Sequence, residues 1–113
     1  MTLNIKQQSA KVSTTGQIAL EDLAQIQASG FRTLIINRPD QESGGIHPQS
    51  EHVRQAAARL GMAVVYLPVV PNAISDEQVQ CFAAAVKSAP GTVLAYCASG
   101  NRSASLVARS ECP

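Results

Sequence analysis

Thr92-Val93-Leu94-Ala95-Tyr96-Cys97-Ala98-Ser99-Gly100-Asn101-Arg102-Ser103 is the stretch that decides the fold. Residues 92–96 form a short apolar run of the kind that makes a buried strand, and a helix opens from about Arg102. Cys97 therefore stands at the carboxyl end of a strand, ahead of a loop and a helix N-terminus. That is the position at which strand-loop-helix units hold phosphates and other anions.

The same alternation repeats outward from this stretch. Phe31 to Asn37 is a nearly unbroken apolar run that closes at Arg38-Pro39-Asp40, and the helical pattern of Asp22 to Ser29, with Leu23 and Ile26, precedes it. Gly30 sits where that helix must stop. Between Pro48 and Leu60, Val53, Ala56, Ala57 and Leu60 follow the i, i+3, i+4, i+7 spacing of one helix face, and Gly61 ends it. Met62 to Val69 repeats the signature of a strand buried on both faces, with Pro68 near its end. Ser75-Asp76-Glu77-Gln78 reads as a capping box before Val79, Phe82, Ala83 and Val86, and Pro90-Gly91 breaks the helix. The stretches around Ile5 and Val12 read as short edge strands. Alternating strands and helices imply an α/β fold over residues 1–113, a single domain of three layers with a mainly parallel central sheet flanked by helices.

Composition narrows the function. A chain of 113 residues with 45% apolar side chains is the size of one domain with its own core. At this length roughly two thirds of the unfolded surface can be buried, enough without cross-links. Nine basic and eight acidic residues are spread along the chain, for a formal net charge of +1, so there is no basic stripe for nucleic acid. Neither a secretory signal nor a membrane-length apolar run is visible, so no membrane partner and a cytoplasmic location are expected. Cys81, Cys97 and Cys112 make an odd count without C-x-x-C spacing, which argues for reduced thiols and for no metal or other cofactor.

Three influences converge on Cys97: inward loop N–H groups, the partial positive charge of a helix N-terminus, and the guanidinium of Arg102. Such surroundings bring a thiol from about 8.5 into the range of about 3.5–7.5, making Cys97 a thiolate nucleophile at neutral pH. The amides of Ala98, Ser99, Gly100 and Asn101, with the fork of Arg102, are suited to two oxygens of a small anion such as thiosulfate, a persulfide or a phosphate ester. Gly100 allows close approach of backbone to anion, and Ser103 is expected to donate its hydroxyl to the sulfur. An isolated cysteine ending a strand is ordinarily a small buried hydrophobe; the loop around this one reverses that reading. His47 and His52 read as solvated surface residues, Cys81 as a packing residue and Cys112 as a thiol at a frayed end.

The segments FRTLIINRP (31–39), YLPV (66–69) and VLAYCASGNRS (93–103) resemble the domain of unknown function 442 family, the phosphatase-like domain of β-lactamase-hydrolase-like proteins. The resemblance spans nearly the whole chain. It implies the dual-specificity and tyrosine phosphatase fold, Cys97 and Arg102 as active-site pair, and a functional link to a metallo-β-lactamase-type persulfide dioxygenase. It also implies further helix after Pro113, so that the last helix is truncated or its apolar face is covered by a second copy in a homodimer.

Two departures from the phosphatase pattern bear on the chemistry. Tyrosine phosphatases place five residues between Cys and Arg, whereas here there are four, a six-residue loop closer to that of rhodanese sulfurtransferases. The general-acid Asp expected after Tyr66-Leu67-Pro68-Val69 is absent from Val70-Pro71-Asn72-Ala73, and Asp76 belongs to the capping box. Asp40 and Glu42 are the substitute acids if their loop folds over the pocket. On these grounds sulfur transfer through a Cys97 persulfide ranks first. A phosphatase working through phosphocysteine ranks second, and a non-catalytic anion-binding or docking module third.

Overall fold

The computed structural model describes residues 3–110. In chain order these form β1 (Lys6–Gln7), β2 (Val12–Thr15), α1 (Leu23–Ala28), β3 (Phe31–Ile36), α2 (Ser50–Arg59), β4 (Ala63–Tyr66), α3 (Asp76–Ser88), β5 (Thr92–Tyr96) and α4 (Asn101–Ser110). Tight helical turns at Leu20–Asp22 and Glu42–Gly45 precede α1 and α2. The strands make one sheet in the order β1-β2-β5-β3-β4, with β1 antiparallel to β2 and every other pair parallel.

Strand alternation divides the core. Leu94 and Tyr96 of β5, with Leu34 and Ile36 of β3, pack under α1 and α2 against Leu23, Ile26, Val53 and Ala57. Val93, Ala95 and Ile35 point to the other face, where Val79 and Phe82 of α3 meet Leu106 and Val107 of α4. A fully buried side chain of this kind contributes about 1.5–3 kcal/mol, so α4 is held to the sheet mainly by Leu106 and Val107. The cap of α3 is as expected: Ser75 Oγ accepts the Gln78 N–H at 3.1 Å and Gln78 Oε1 accepts the Ser75 N–H at 2.9 Å.

Two strands differ from expectation. β2 lies inside the sheet, between β1 and β5, and all four of its residues are buried. Only β1 is an edge on that side. The Met62 to Val69 run, read as buried on both faces, is a strand only at Ala63–Tyr66 and forms the opposite edge, with Tyr66 exposed. Beyond it the chain still tracks β3, since Leu67 N–H donates to Ile36 O and Val69 N–H to Asn37 O. This brings Val69 into the core. No helix among the described residues is long and apolar enough to cross a membrane. Cys112 lies outside the described residues.

Candidate active site

β5 sits in the middle of the parallel part of the sheet, and Cys97 follows it at the carboxyl edge, where α/β sheets place their ligands. The loop after Cys97 is fixed by its neighbours before any chemistry is considered. Asn37 N–H donates to Tyr96 O at 2.8 Å and Gln17 N–H to Ala98 O at 3.1 Å, pinning the two sides of the turn. Gly100 has φ +95°, and a Cβ there would lie 3.3–3.4 Å from the Thr15 carbonyl group. Gly16 is the reciprocal contact, its Cβ position 3.1 Å from Ala98 O. The two glycines let β2's end and the loop close on each other. Gly100 O then accepts the first α4 bond, from Ala104 N–H.

This closure wraps the sulfur. Cys97 is fully buried, and Gly100 N–H donates to its Sγ at 3.0 Å. Burial pushes the thiol up, but the backbone N–H groups of Ser103, Arg102 and Gly100 outweigh it, together with the Ser103 hydroxyl when its proton points to the sulfur. The net result lies below the ordinary thiol value. The shift is in the direction of the expected thiolate, and the loop amides that cause it point at the sulfur.

Ser103 departs from its expected role. Its hydroxyl donates to Asn37 Oδ1 at 2.8 Å, and that oxygen is fixed as acceptor because Asn37 Nδ2 donates to Leu67 O at 2.9 Å. A hydroxyl has one proton, so Ser103 serves the sulfur only when the proton swings away from Asn37. The sequence reading missed Asn37, although an amide ending an otherwise apolar strand is a signal of a buried polar job.

Arg102 is buried and doubly occupied at one end. Nη1 donates to Glu42 Oε2 at 2.7 Å and to Val69 O at 2.9 Å, and Nη2 donates to Glu42 Oε1 at 2.8 Å. Arg38 Nε reaches the same Glu42 carboxylate at 3.0 Å. These bonds take three of the five N–H donors of Arg102 and leave Nε–H and one Nη2–H, which share a single edge. That edge remains a two-pronged fork for an oxyanion.

The loop carrying Asp40 and Glu42 does fold over the site, yet neither residue is available as an acid. The hydrogen bonds from Arg102 hold Glu42 below the usual carboxylate range in spite of its desolvation, so it stays ionised. Asp40 instead caps α2, accepting Ser50 N–H and Ser50 Oγ–H, each at 2.7 Å. Glu42 instead fixes the orientation of the Arg102 guanidinium. His47, expected at the surface, is buried and ties this loop down, with Nε2 3.1 Å from Glu42 O and Nδ1 3.2 Å from Pro48 O. His52 is exposed as expected. Cys81, expected to pack, is exposed because Val79 and Phe82 set the buried face of α3.

A groove of about 660 Å³ runs beside the nest, between Pro71, Asn72 and Ile74 on one side and Ala98, Ser99, Asn101 and Arg102 on the other. Asn72, with φ 61°, stands on the connection where an acid was sought, and among the described residues no carboxyl group lines the groove. Asp76 is not among the lining residues and accepts Arg109 Nη2 at 2.8 Å. Among the described residues no three His, Cys, Asp or Glu side chains gather as a metal site.

A family model described as the phosphatase-like domain of β-lactamase hydrolase-like proteins matches residues 4–112. The chain is 32% identical over 101 residues to the Beta-lactamase hydrolase-like protein of Xylella fastidiosa and 30% identical over 101 residues to that of Agrobacterium fabrum. Each match covers 89% of this chain and 23% of the relative, so the chain spans about a quarter of the length of these curated relatives. Among solved structures it superposes with a TM-score of 0.83 on a candidate phosphatase from Neisseria meningitidis, at 29% identity over 90% of this chain and 72% of that one. A domain of unknown function 442 protein from Shewanella putrefaciens gives 0.80 at 21% identity, covering 94% of this chain and 68% of that one. Tk-PTP in its active form gives 0.67 at 20% identity, covering 88% and 65%, which places the fold among the tyrosine phosphatases.

Proposed function

Because the chain belongs to the family of phosphatase-like domains of β-lactamase hydrolase-like proteins, we propose that it is a cysteine-dependent phosphatase for aryl and other activated phosphate monoesters. The observation that carries this reading is the free edge of Arg102, aimed by Glu42 and Val69 O and adjoining a thiol held toward its thiolate form. In the first step the Cys97 thiolate attacks phosphorus, the ester P–O bond breaks, and the leaving oxygen departs with the electron pair. Nε–H and the remaining Nη2–H of Arg102 hold two equatorial oxygens of the transferring group. Water then attacks the phosphocysteine, the S–P bond breaks, and phosphate leaves. As charge returns to sulfur, the Ser103 proton can swing from Asn37 to meet it.

Leaving-group range follows from the bare groove. Without an acid to protonate an alkoxide, alkyl esters should lose on the order of 10²–10⁴-fold, whereas aryl oxides depart unaided. The same bareness, with the four-residue spacer between Cys97 and Arg102, favours one second reading, sulfur transfer. There Cys97 attacks the outer sulfur of thiosulfate, the S–S bond breaks, sulfite leaves with the electron pair, and a thiolate acceptor later takes the sulfur from the Cys97 persulfide. A link to a persulfide dioxygenase belongs to this reading. Family and fold relatives support phosphate chemistry more than sulfur chemistry, which reverses the order drawn from loop length and the missing acid.

One preparation decides between them. p-Nitrophenyl phosphate hydrolysis and thiocyanate formation from thiosulfate are measured side by side, with Cys97→Ser as blank. Cys97-dependent p-nitrophenol release is the expected result. Sulfur transfer without phosphate turnover would overturn it, and silence in both assays would leave the binding-module reading.

A further inference from the structure

We propose that Arg109 is a second anion-recognition point in the groove, so that the substrate carries a carboxylate or similar anionic group roughly 10 Å beyond the phosphoryl group; this rests on the phosphatase reading of Cys97. Arg102 and Arg109 are seven residues apart on α4, which is two turns, one face and about 10 Å along the axis. Both line the groove, and among the described residues no acidic side chain lines it with them. The space of about 660 Å³ is of ligand size, well beyond what one phosphoryl group fills.

The two arginines are mounted alike. Each sends Nη1 to a carbonyl of the connection between β4 and α3, Arg102 to Val69 O and Arg109 to Ile74 O, both at 2.9 Å. Each also donates to one carboxylate, Glu42 or Asp76. Burial separates them. The Arg102–Glu42 side chains are 8% and 23% exposed, against 42% and 93% for Arg109–Asp76. A pair as wet as the second contributes little and exchanges readily. Arg109 therefore keeps its backbone anchor on Ile74 at the groove wall, while its exposed donors can pass from Asp76 to an incoming anion. The first arginine is built for chemistry and the second for selection.

The test uses 4-(2-carboxyethyl)phenyl phosphate and its carboxamide, which differ in one charge at the far end. Calorimetric affinities on the Cys97→Ser protein give an acid-to-amide ratio that needs no turnover. A ratio of about five is expected, the size of a partly exposed charge pair. It should fall toward one in Arg109→Gln and rise in Asp76→Asn, which frees the guanidinium. A ratio near one in the parent protein, or one that survives Arg109→Gln, overturns the proposal. Wild-type turnover of the two compounds is followed separately, so that absence of hydrolysis rejects the phosphatase reading while the affinity ratio still judges Arg109.

Discussion

The connections that follow β5 and β4 wall the same groove from opposite sides, and they differ in completeness. After β5, each group has a matched role: Gly100 N–H on sulfur, Gly100 O on Ala104 N–H, and Arg102 on Glu42 and Val69 O. After β4, the chain supplies carbonyl anchors at Val69 and Ile74 but puts Asn72 where a proton donor would serve a leaving group. On the proposed phosphatase reading, the nucleophile and clamp are thus preorganised while the leaving-group side is bare. Rate should then depend steeply on changes in the first wall and on leaving-group basicity at the second.

The largest effect expected is at the clamp. Arg102→Lys keeps the charge but has no edge left over once it pairs with Glu42, so kcat/KM for p-nitrophenyl phosphate should fall by about 10²–10³, the loss typical of a transition-state oxyanion donor. Steady-state kinetics checks this, with circular dichroism to show the fold retained. A loss below tenfold would mean that the loop amides alone bind the oxyanion, and the contrast between the walls would weaken.

A gain should come from the bare wall. Asn72→Asp places a carboxyl group on the groove at a backbone position, φ 61°, that Asp tolerates almost as well as Asn. Turnover of an alkyl phosphate should rise by about tenfold, part of the roughly 10²–10⁴-fold that a fully placed general acid contributes, while an aryl phosphate changes far less. Measuring both substrates on both proteins gives the selective ratio. An equal effect on the two would show that Asn72 does not face the leaving group.

Legibility in the sequence followed the same division. The strand at 92–96, the loop after it and the Ser75 cap are local devices whose residues sit within a few positions of one another, and they could be read directly. The interior place of β2 could not. Ser13, Thr14 and Thr15 look like edge residues, yet they are buried beside β5, because packing of Gly16 on Ala98 brings that strand inward. Glu42 was legible only as a carboxyl near the pocket. Its role depends on a turn in which Ser43, Gly44 and Gly45 all take positive φ and His47 is buried, which no periodicity announces. Leaving-group chemistry was the least legible link: a short spacer and a missing acid argued for sulfur, while the family and its relatives support phosphate better.

The smallest effect lies under the first wall, in the proton shared by Ser103 and Asn37. Cys97 lies below the ordinary thiol value, so its thiolate persists below the pH at which a simple thiol protonates, and is lost only as pH falls through that lowered value. In a Cys81→Ser, Cys112→Ser background, iodoacetamide should modify Cys97 more slowly than N-acetylcysteine at high pH, since the sulfur is buried. Its relative rate should then climb as pH is lowered. Ser103→Ala removes a hydroxyl that reaches the thiolate only when it leaves Asn37, which should move the inflection of the alkylation profile slightly upward. Asn37→Ala releases the Ser103 proton from its 2.8 Å bond to Oδ1, which should move the inflection downward, whereas simple loosening of the nest would move it up. Opposite shifts in the two variants would establish that Asn37 withholds a donor from the resting sulfur. Shifts in the same direction would show that the pair only braces the loop.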